Sequence, residues 1–264
     1  MLYKGISRAD IEKLGQDNAS HTEVANILGS YKLYVNPEEV SIAVHLSNSG
    51  FWEAWVTKWF IDTIQPGFTC VDVGANYGYY TRLLEKLSGP NGKVYAIEAN
   101  PALFEGLKKS IKDFPIEGGS DVILSNVAVA DCDGVAYLGL TGNNLGGPSI
   151  LDVNPTGLTI TELVEVTKTT LDKVVDANER IDFVKIDIEG AEPLAMKGME
   201  SMLDRIAMIV IEILPSIWEN NPRFIHELFY KYNVTRINFS GEEEAITYKQ
   251  LVESNDLSML VLRK

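Results

Sequence analysis

The strongest chemical signal in the sequence is a glycine turn that follows a short apolar run containing an acid. Residues 70–78 read CVDVGANYG, which predicts a buried strand, a tight turn at Gly74 and Gly78, and the start of a helix. Asp72 lies near the end of that strand, and Glu98 ends the next predicted strand. An acid in the position of Glu98 can accept hydrogen bonds from both hydroxyls of a ribose. The turn therefore predicts a site for a ribose-containing ligand.

The same turn argues against a dinucleotide. A G-x-G-x-x-G fingerprint that starts at Gly74 needs glycines at positions 76 and 79, whereas the sequence has Asn76 and Tyr79 there. Two carboxylates beside the turn favour a ligand that carries a ribose and a positive charge but no phosphates. S-adenosylmethionine, with its sulfonium and ammonium groups, has this pattern of charge. A glycine turn of some other α/β protein stays open as the alternative.

A second group of acids comes at the end of another predicted strand. Asp187, Glu189 and Glu192 lie within six positions, and crowding of like charges should raise the pKa of at least one of them. A raised pKa would suit a general base that removes a proton from a hydroxyl or an amide. Other roles stay open: Asp187 and Glu189 cap the next helix or hold a cofactor's amino group, Glu192 is ordinary first-turn helix charge, or the acids bind a divalent cation.

A regular alternation of strands and helices positions these residues. Short β-branched apolar runs occur at residues 68–73, 93–98, 121–127, 182–188 and 208–213. They alternate with stretches of helical spacing, which is typical of parallel βαβ units. One helix is expected to end at Gly89 and Pro90, and the next to begin with Asn100 as its cap and Pro101 in its first turn. The ligand crevice of such a sheet lies at the carboxyl ends of its strands.

The first part of the chain departs from this alternation. Residues 1–64 carry aromatic residues at helical spacing toward their end, with Trp52 and Trp59 among them. This pattern predicts an N-terminal helical extension or lid, followed by a main ligand-binding domain over residues 65–264.

Residues 131–167 also depart from the alternation. They predict a hairpin around Asp133 and Gly134, and then a long loop rich in glycine and proline over residues 142–157. A connection of that length inside a compact domain is usually functional or mobile.

Composition narrows the class of function. The chain has 264 residues, with 23 lysines and arginines against 37 aspartates and glutamates, and a net charge of −14 argues against nucleic-acid binding. Cys70 and Cys132 predict neither a disulfide framework nor a zinc site. The longest strongly apolar stretch in the later half of the chain, residues 206–211, is too short to span a membrane, and no signal-like segment opens the sequence, which predicts a soluble cytoplasmic protein. The charge run at residues 242–244 predicts a solvated turn.

Several sequence blocks in a fixed order resemble a known family. They are FTCVDVGANYGYYTRLLEK, KVYAIEANPALFEGLKK, VILSNVAVADCDG, TTLDKVV, and IDFVKIDIEGAEPLAMKGME followed by IVIEI, and they span residues 68–213. This order of motifs resembles the FkbM family of S-adenosylmethionine-dependent methyltransferases. The resemblance implies a Rossmann-like class I methyltransferase fold: an α/β structure whose mostly parallel seven-stranded sheet has helices on both faces and an antiparallel last strand. Residues 234–239 and 257–262 are the candidates for the final strand pair.

The resemblance also implies which residues hold the cofactor, S-adenosylmethionine. Those expected against its methionine part are Asp72, Gly74, Asn76 and Gly78. Glu98 is expected to hold the ribose. The residues expected to border the adenine are Asn100, Asn126 and Ala128.

The signature KIDIEGAE at residues 185–192 is implied to face the methyl group and the acceptor. Asp187 and Glu189 are the candidate catalytic residues, and Asp187 is also a candidate for binding the cofactor. The sequence departs from many members at Tyr77, where they have isoleucine, and at Ala99, where they have proline. Neither change alters a charged or glycine position, so cofactor binding is still expected.

The implied activity is methyl transfer, most often to a hydroxyl oxygen of a small-molecule natural product or a sugar. The alternatives are a peptide side-chain N-methyltransferase and a non-catalytic α/β protein that binds the cofactor. No metal is obligatory for in-line transfer. The acceptor, a small molecule or peptide, is expected to contact residues 51–59, 143–160 and 215–221. Glu53 is a further candidate for the cofactor's ammonium group, and a homodimer formed through the aromatic N-terminal segment is one option.

Overall fold

The computed structural model describes residues 5–14, 23–39, 42–141, 144–150, 160–218 and 222–264. The helices in these ranges are α1 (Arg8–Leu14), α2 (Ile42–Ser49), α3 (Ala54–Thr63), α4 (Tyr79–Ser88), α5 (Pro101–Asp113), α6 (Leu171–Val174), α7 (Glu192–Gly198), α8 (Pro222–Lys231) and α9 (Tyr248–Ser254). The strands are β1 (Val24–Ile27), β2 (Tyr31–Tyr34), β3 (Thr69–Val73), β4 (Lys93–Ile97), β5 (Asp121–Ser125), β6 (Ala128–Val129), β7 (Gly134–Thr141), β8 (Asn144–Ile150), β9 (Glu162–Thr169), β10 (Phe183–Ile186), β11 (Met208–Ile213), β12 (Asn233–Ile237), β13 (Glu243–Ala245) and β14 (Ser258–Arg263). None of these described helices has both the length and the apolar character that crossing a membrane requires.

The centre of the fold is an eight-stranded sheet in the order β13-β12-β14-β11-β10-β3-β4-β5. The strands from β11 to β5 in that order run parallel, β14 lies antiparallel between β11 and β12, and β13 pairs antiparallel with β12. The predicted α/β class, with a mostly parallel sheet and an antiparallel last strand, is confirmed. The sheet has one strand more than predicted, because the run expected to be a solvated turn contributes the edge strand β13.

Strand side chains alternate between two apolar layers, one on each face of this sheet. Along β3, Cys70 belongs to the layer that contains Phe183, whereas Val71 and Val73 belong to the other layer. A strand covered on both faces is apolar at nearly every position, which explains the continuous apolar runs in the sequence. Asp72, fully buried in the same strand, is the exception and needs a specific partner.

The connections after β3 and β4 bring the glycine turn and Glu98 to one end of the sheet. α4 begins after Gly78, which has a φ of 91°, and ends at Gly89, which has a φ of 64°. Asn100 caps α5, since its side-chain oxygen accepts a 3.0 Å hydrogen bond from the Ala102 N–H, and Pro101 follows in the first turn. Both predicted helix boundaries are confirmed.

The segment before β3 packs on this core. α3 buries Val56, Trp59 and Phe60, as its aromatic spacing predicts. β1 and β2 form an antiparallel hairpin that the sequence analysis did not predict. The hairpin is fixed to α5, where the Tyr34 N–H donates a 2.9 Å hydrogen bond to Ser110 Oγ.

A second sheet has four strands in the order β6-β9-β7-β8. The predicted hairpin around Asp133 and Gly134 is wrong, because β6 and β7, on either side of this bend, each pair with β9. The predicted loop is wrong over Asn144–Ile150, which form the edge strand β8. The remaining residues of that loop, 142–143 and 151–159, lie outside the described residues.

Candidate active site: a cleft at the carboxyl ends of the parallel strands

A cleft lies at the carboxyl ends of β3, β4 and β10, where β3 has its chain neighbour β4 on one side and the later strand β10 on the other. Open α/β sheets bind ligands at such a point. The cleft holds about 900 Å³ of empty space, with the solvent at its mouth included. An apolar part of its lining consists of Ile97, Leu103, Val127 and Ala128. A charged part consists of Glu98, Lys185, Asp187 and Glu189.

The structure brings most of the predicted site residues to this cleft. Those that line it are Gly74, Asn76, Glu98, Ala128, Asp187 and Glu189. The others are not among the lining residues: Asp72, Gly78 and Asn100 are buried, and Asn126 is exposed. The predicted residues therefore divide into those that can touch a ligand in the cleft and those that support the cleft from other positions.

Gly74 allows the turn after β3 to touch the loop after β10. Its φ is 82°, and a Cβ atom built there would lie 1.9 Å from the Asp187 carbonyl oxygen. Gly78 has a similar constraint, because a Cβ atom there would lie 2.4 Å from Cδ1 of Leu107 on α5. At Gly74 the clash is with the backbone, so sterics and backbone conformation both exclude a side chain. At Gly78 the leucine side chain can shift, so the positive φ is the main constraint. Gly74 thus sets the shape of the cleft wall.

Glu98 is held by two backbone groups of the cleft wall. Its Oε2 accepts a 2.7 Å hydrogen bond from the Asn76 N–H, and its Oε1 accepts one of 2.7 Å from the Asn100 N–H. Burial raises the pKa of Glu98 to about 7, although these two hydrogen bonds favour the charged form. Each carboxylate oxygen retains a lone pair that can accept a further hydrogen bond.

Asn100 and Asn126 support this acid from behind. The Asn100 side chain caps α5, and the Asn126 Nδ2 donates hydrogen bonds of 2.7 Å to the Glu98 carbonyl oxygen and 3.1 Å to that of Ala99. The link between the ends of β4 and β5 fixes the backbone on which Glu98 stands.

Asp72 lies beneath the cleft, with no exposed surface. Its Oδ2 accepts a 2.6 Å hydrogen bond from the Thr81 hydroxyl, and its Oδ1 lies 3.5 Å from Lys185 Nζ. Burial raises the pKa of Asp72, and the Lys185 ammonium and the Thr81 hydroxyl oppose this effect. Asp72 can therefore act on a ligand only through its neighbours.

The acids after β10 have three different environments. Asp187 Oδ2 lies 3.1 Å from Lys185 Nζ. Glu192 Oε1 accepts hydrogen bonds of 3.1 Å from the Ile188 and Gly190 N–H groups, so its carboxylate holds the loop together. Glu189 faces the cleft from a left-handed backbone conformation with φ 55°. Burial, and then the negative charge of Asp187, raise the pKa of Glu189 to about 8.

A comparison with known families identifies this arrangement. The sequence model of the methyltransferase FkbM domain matches residues 72–234, which is more than half of the chain. The chain belongs to the FkbM methyltransferase family. It is a methyltransferase, and its methyl donor is S-adenosylmethionine. The resemblance and the cofactor expected from the sequence are thus confirmed.

The individual proteins that resemble this FkbM chain match it either over a short region or at low sequence identity. Over 62 residues it is 37% identical to a protein-L-isoaspartate O-methyltransferase of Aeropyrum pernix, and the match covers 24% of each protein. The chain thus spans about a quarter of that relative's length. Among solved structures, it is similar to a precorrin-6y C5,15-methyltransferase from Geobacter metallireducens, with 13% identity, a TM-score of 0.46, and coverage of 88% of this chain and 96% of the other. It is also similar to Aeropyrum pernix fibrillarin with natively bound S-adenosyl-L-methionine, with 12% identity, a TM-score of 0.42, and coverage of 79% and 73%.

The cleft of this FkbM protein suits the chemistry of that cofactor. Its apolar part can take a flat ring, and the two remaining lone pairs of Glu98 can accept hydrogen bonds from a pair of hydroxyls. Asp187, with 22% of its side chain exposed, offers a carboxylate to a positive group. In the part of the chain that the structure describes, no group of three or more acid, histidine or cysteine side chains is arranged to hold a metal ion.

Two charged residues at this FkbM site, Lys185 and Glu212, were not among the predicted catalytic or cofactor-binding residues, and a third, Glu53, was only a further candidate for the cofactor's ammonium group. Lys185 was inside a predicted motif without a role of its own. Glu53 precedes α3 and accepts a 2.8 Å hydrogen bond from the Tyr80 hydroxyl, and burial, followed by the charge of Asp187, raises its pKa to about 7. Glu212 on β11 also has a raised pKa, through burial and then Asp187. The sequence signal for Lys185 was its position two residues before Asp187, which places both side chains on one face of a strand.

Of the segments expected to contact the acceptor, residues 51–59 contribute Trp52 to the cleft lining. Residues 215–217 are not among its lining residues, and 219–221 lie outside the described residues. Of the segment 143–160, residues 143 and 151–159 lie outside the described residues, and the described ones are not among the lining residues.

Proposed function

We propose that this FkbM enzyme methylates a hydroxyl oxygen of a small-molecule natural product or sugar, with Asp187 and Glu189 as its catalytic residues. The observation that carries the proposal is the environment of Glu189. Its carboxyl group lines the cleft and has a pKa of about 8, raised by burial and by the charge of Asp187. A base with a pKa near the working pH is suited to general base catalysis.

The predicted cofactor residues form one connected set around the cleft. Glu98 receives the ribose hydroxyls, and Asn76, Asn100 and Asn126 hold Glu98 in place through the hydrogen bonds described above. Ala128 belongs to the apolar part that receives the adenine. Asp187 binds the amino group of the methionine part. Asp72 acts on the cofactor only through its neighbours, and Gly74 and Gly78 allow the turn after β3 that leads along the cleft. When bound, S-adenosylmethionine supplies a methyl group on a positively charged sulfur.

The residues of this chain then position the acceptor and move its proton. Glu189 accepts the proton of the acceptor hydroxyl, so that the oxygen gains negative charge as it attacks. Trp52 and Tyr80 in the lining reduce the access of water to that oxygen. Holding the two reactants in line supplies most of the remaining rate enhancement.

A hydroxyl acceptor fits this base better than a peptide amide does. The lone pair of an amide nitrogen is delocalised into its carbonyl group, so a nearby carboxylate alone does not make it a nucleophile. The relative from Aeropyrum pernix is an O-methyltransferase, which agrees with an oxygen acceptor. The match on which this comparison rests covers about a quarter of that relative. The peptide N-methyltransferase and the non-catalytic binding protein stay as alternatives for the experiment below.

The division of the chain remains part of the proposal. Residues 1–64 serve as an extension that covers the cleft, and residues 65–264 form the methyltransferase domain. Ile42 on α2 and Trp52 before α3 support this assignment, because both belong to the extension and both line the cleft.

The test compares Glu189→Gln with Glu192→Gln in methyl transfer to panels of sugars, hydroxylated natural products and peptides. Loss of the base should lower kcat/KM for a hydroxyl acceptor by about 10²- to 10⁴-fold, while S-adenosylhomocysteine still binds with its wild-type affinity. The Glu192 variant should lose far less activity, because that carboxylate binds only the loop backbone. Full activity of Glu189→Gln would rule out this base, and cofactor binding without transfer to any panel would favour the non-catalytic alternative.

A further inference from the structure

Lys185 has no task in the transfer described so far, yet it lies among the acids of the cleft. Of the described residues that line the cleft, it is the only basic one. Its side chain is 2% exposed, and it stands on β10 directly opposite Asp72 of β3 in the sheet register. A charge that is buried to this degree is tolerated only with specific partners.

Three oxygens surround the Lys185 ammonium group. Its Nζ lies 3.1 Å from Asp187 Oδ2, 3.4 Å from the Gly74 carbonyl oxygen and 3.5 Å from Asp72 Oδ1. The contact with Gly74 is a hydrogen bond, and the contacts with Asp187 and Asp72 are ion pairs. Burial alone would lower the pKa of Lys185, but Asp187 and Asp72 outweigh burial and hold it above its usual value. Lys185 therefore stays charged and acts on its neighbours.

Asp187 and Glu189 differ in their access to this cation. Asp187 forms the ion pair described above, whereas the structure shows neither an ion pair nor a hydrogen bond for the Glu189 side chain among the described residues. The negative charge of Asp187 is also one of the causes that raise the pKa of Glu189. The charge of Lys185 lowers the pKa of Glu189, but burial and the neighbouring acids outweigh it. The two acids thus have different surroundings: Asp187 is paired with the cation, and Glu189 is not.

We propose that Lys185 is a positioning residue for methyl transfer: its ammonium group keeps the Asp187 carboxylate charged and fixed beside the cofactor, which leaves proton removal to Glu189. The inference rests on the proposed function, and it gives the two catalytic candidates different tasks. The titratable groups around them belong to every neighbouring element and are Glu53, Asp72, Tyr80, Glu98, Glu192 and Glu212. All but Tyr80 are carboxylic acids, so loss of Lys185 would leave the Asp187 carboxylate without a positive partner among the described residues that line the cleft.

The test is the affinity for S-adenosylhomocysteine, measured by titration calorimetry over a range of pH in the wild type and in Lys185→Met. The measured quantity is the ratio of the two dissociation constants, because contributions that Lys185 does not influence then cancel. We expect a ratio within about threefold at about pH 9, and a growth of up to about tenfold per pH unit as the pH falls. A role limited to packing would give the same ratio at every pH.

Two further variants assign the effect. In Lys185→Met/Asp187→Asn, the residue at position 187 is neutral at all pH values, so the pH-dependent part of the ratio should vanish. Lys185→Met leaves the buried Asp72 carboxylate without its cation. If the variant fails to fold for this reason, the double variant Lys185→Met/Asp72→Asn removes this carboxylate and retains Asp187, and its affinity for S-adenosylhomocysteine is measured in the same way. The matched control is Lys197→Met, which breaks the exposed pair of Lys197 with Asp131 and should give a ratio near one throughout.

A ratio that does not change with pH, or a pH dependence that survives Asp187→Asn, would overturn the role of Lys185. These measurements need no acceptor. The proposals for the hydroxyl acceptor and for the base Glu189 can therefore be wrong while the effect of Lys185 on Asp187 is right. The effect of Lys185 can likewise be wrong while those proposals are right.

Discussion

At the scale of single residues, Gly74 is the contact point between the two loops that form the cleft. The Asp187 backbone occupies the space that a side chain at position 74 would need. Gly67 offers a matched comparison, since its φ of 89° is close to the 82° of Gly74 but no atom lies within 4 Å of its missing Cβ. The two positions separate the cost of the backbone conformation from the cost of the clash.

Gly74→Ala should lower the free energy of unfolding by about 2–4 kcal/mol, because strain from overpacking adds to the cost of a left-handed alanine. Gly67→Ala should lose only about 1 kcal/mol from the backbone conformation. Urea unfolding of both variants provides the measurement. Equal losses would show that the loop after β10 moves aside without cost.

The residues of this site were predictable to different degrees. Gly74, Glu98 and Asp187 follow strands in the sequence, so their arrival at one end of a parallel sheet could be inferred. The ion pair between Lys185 and Asp72 could not, because it depends on β10 lying beside β3, and these strands are far apart in the chain. The hydrogen bonds that hold Glu192 to its own loop also required the three-dimensional structure.

At the scale of helices and strands, Asn100 shows how a residue can serve the site from behind. Its side chain caps α5, while its backbone N–H holds Glu98. Asn100→Ala should cost about 1 kcal/mol of unfolding free energy through loss of the cap, whereas Asn100→Ser should retain most of it.

Both Asn100 variants should change the affinity for S-adenosylhomocysteine by less than about threefold, because the backbone N–H that holds Glu98 remains in each. Thermal unfolding measures the change in stability, and calorimetry measures the affinity. A tenfold loss of affinity in the serine variant would instead indicate that the side chain itself contacts the adenine.

The strands of the central sheet were predicted because their apolar runs are continuous. β8 was not, because its sequence NLGGPSI is rich in residues that weaken strands. Its place at the edge of the small sheet explains why it tolerates a proline, since an edge strand leaves alternate N–H groups unpaired. β13 escaped prediction because its acids looked solvated, although Glu243 accepts hydrogen bonds from Arg263, Thr235 and Trp59.

At the scale of the whole molecule, buried acids set the dependence of stability on pH. Burial raises the pKa to about 7 for Glu53, Glu85, Glu98 and Glu192, and to about 8 for Glu189. The unfolded chain releases these protons near pH 4.5, whereas the folded chain keeps them until pH 7 to 8. Each group therefore stabilises the fold fully below its unfolded pKa, and that contribution is lost as the pH rises through the folded pKa.

We expect the thermal midpoint to be several degrees higher at about pH 5.5 than at about pH 8. Groups with the opposite shift, such as Glu243 with a pKa of about 2 next to Arg263, lose their contribution only as the pH falls below 4.5. Scanning fluorimetry across this range makes the measurement, and Glu53→Gln should flatten the profile. A midpoint that rises steadily from about pH 5 to pH 8 would contradict the assignment of these acids as protonated in the fold.

The anchoring of the first helices and strands on distant parts of the chain also has a consequence for folding during synthesis. Tyr34 of the hairpin binds Ser110, which is 76 residues later, and Trp59 of α3 donates a hydrogen bond to Glu243, which is 184 residues later. The Trp59 contact can thus form during synthesis only after Glu243 has emerged from the ribosome. Contacts between residues so far apart in sequence form slowly, so the aromatic side chains of α3 are exposed to chaperones until this later part of the chain has been made.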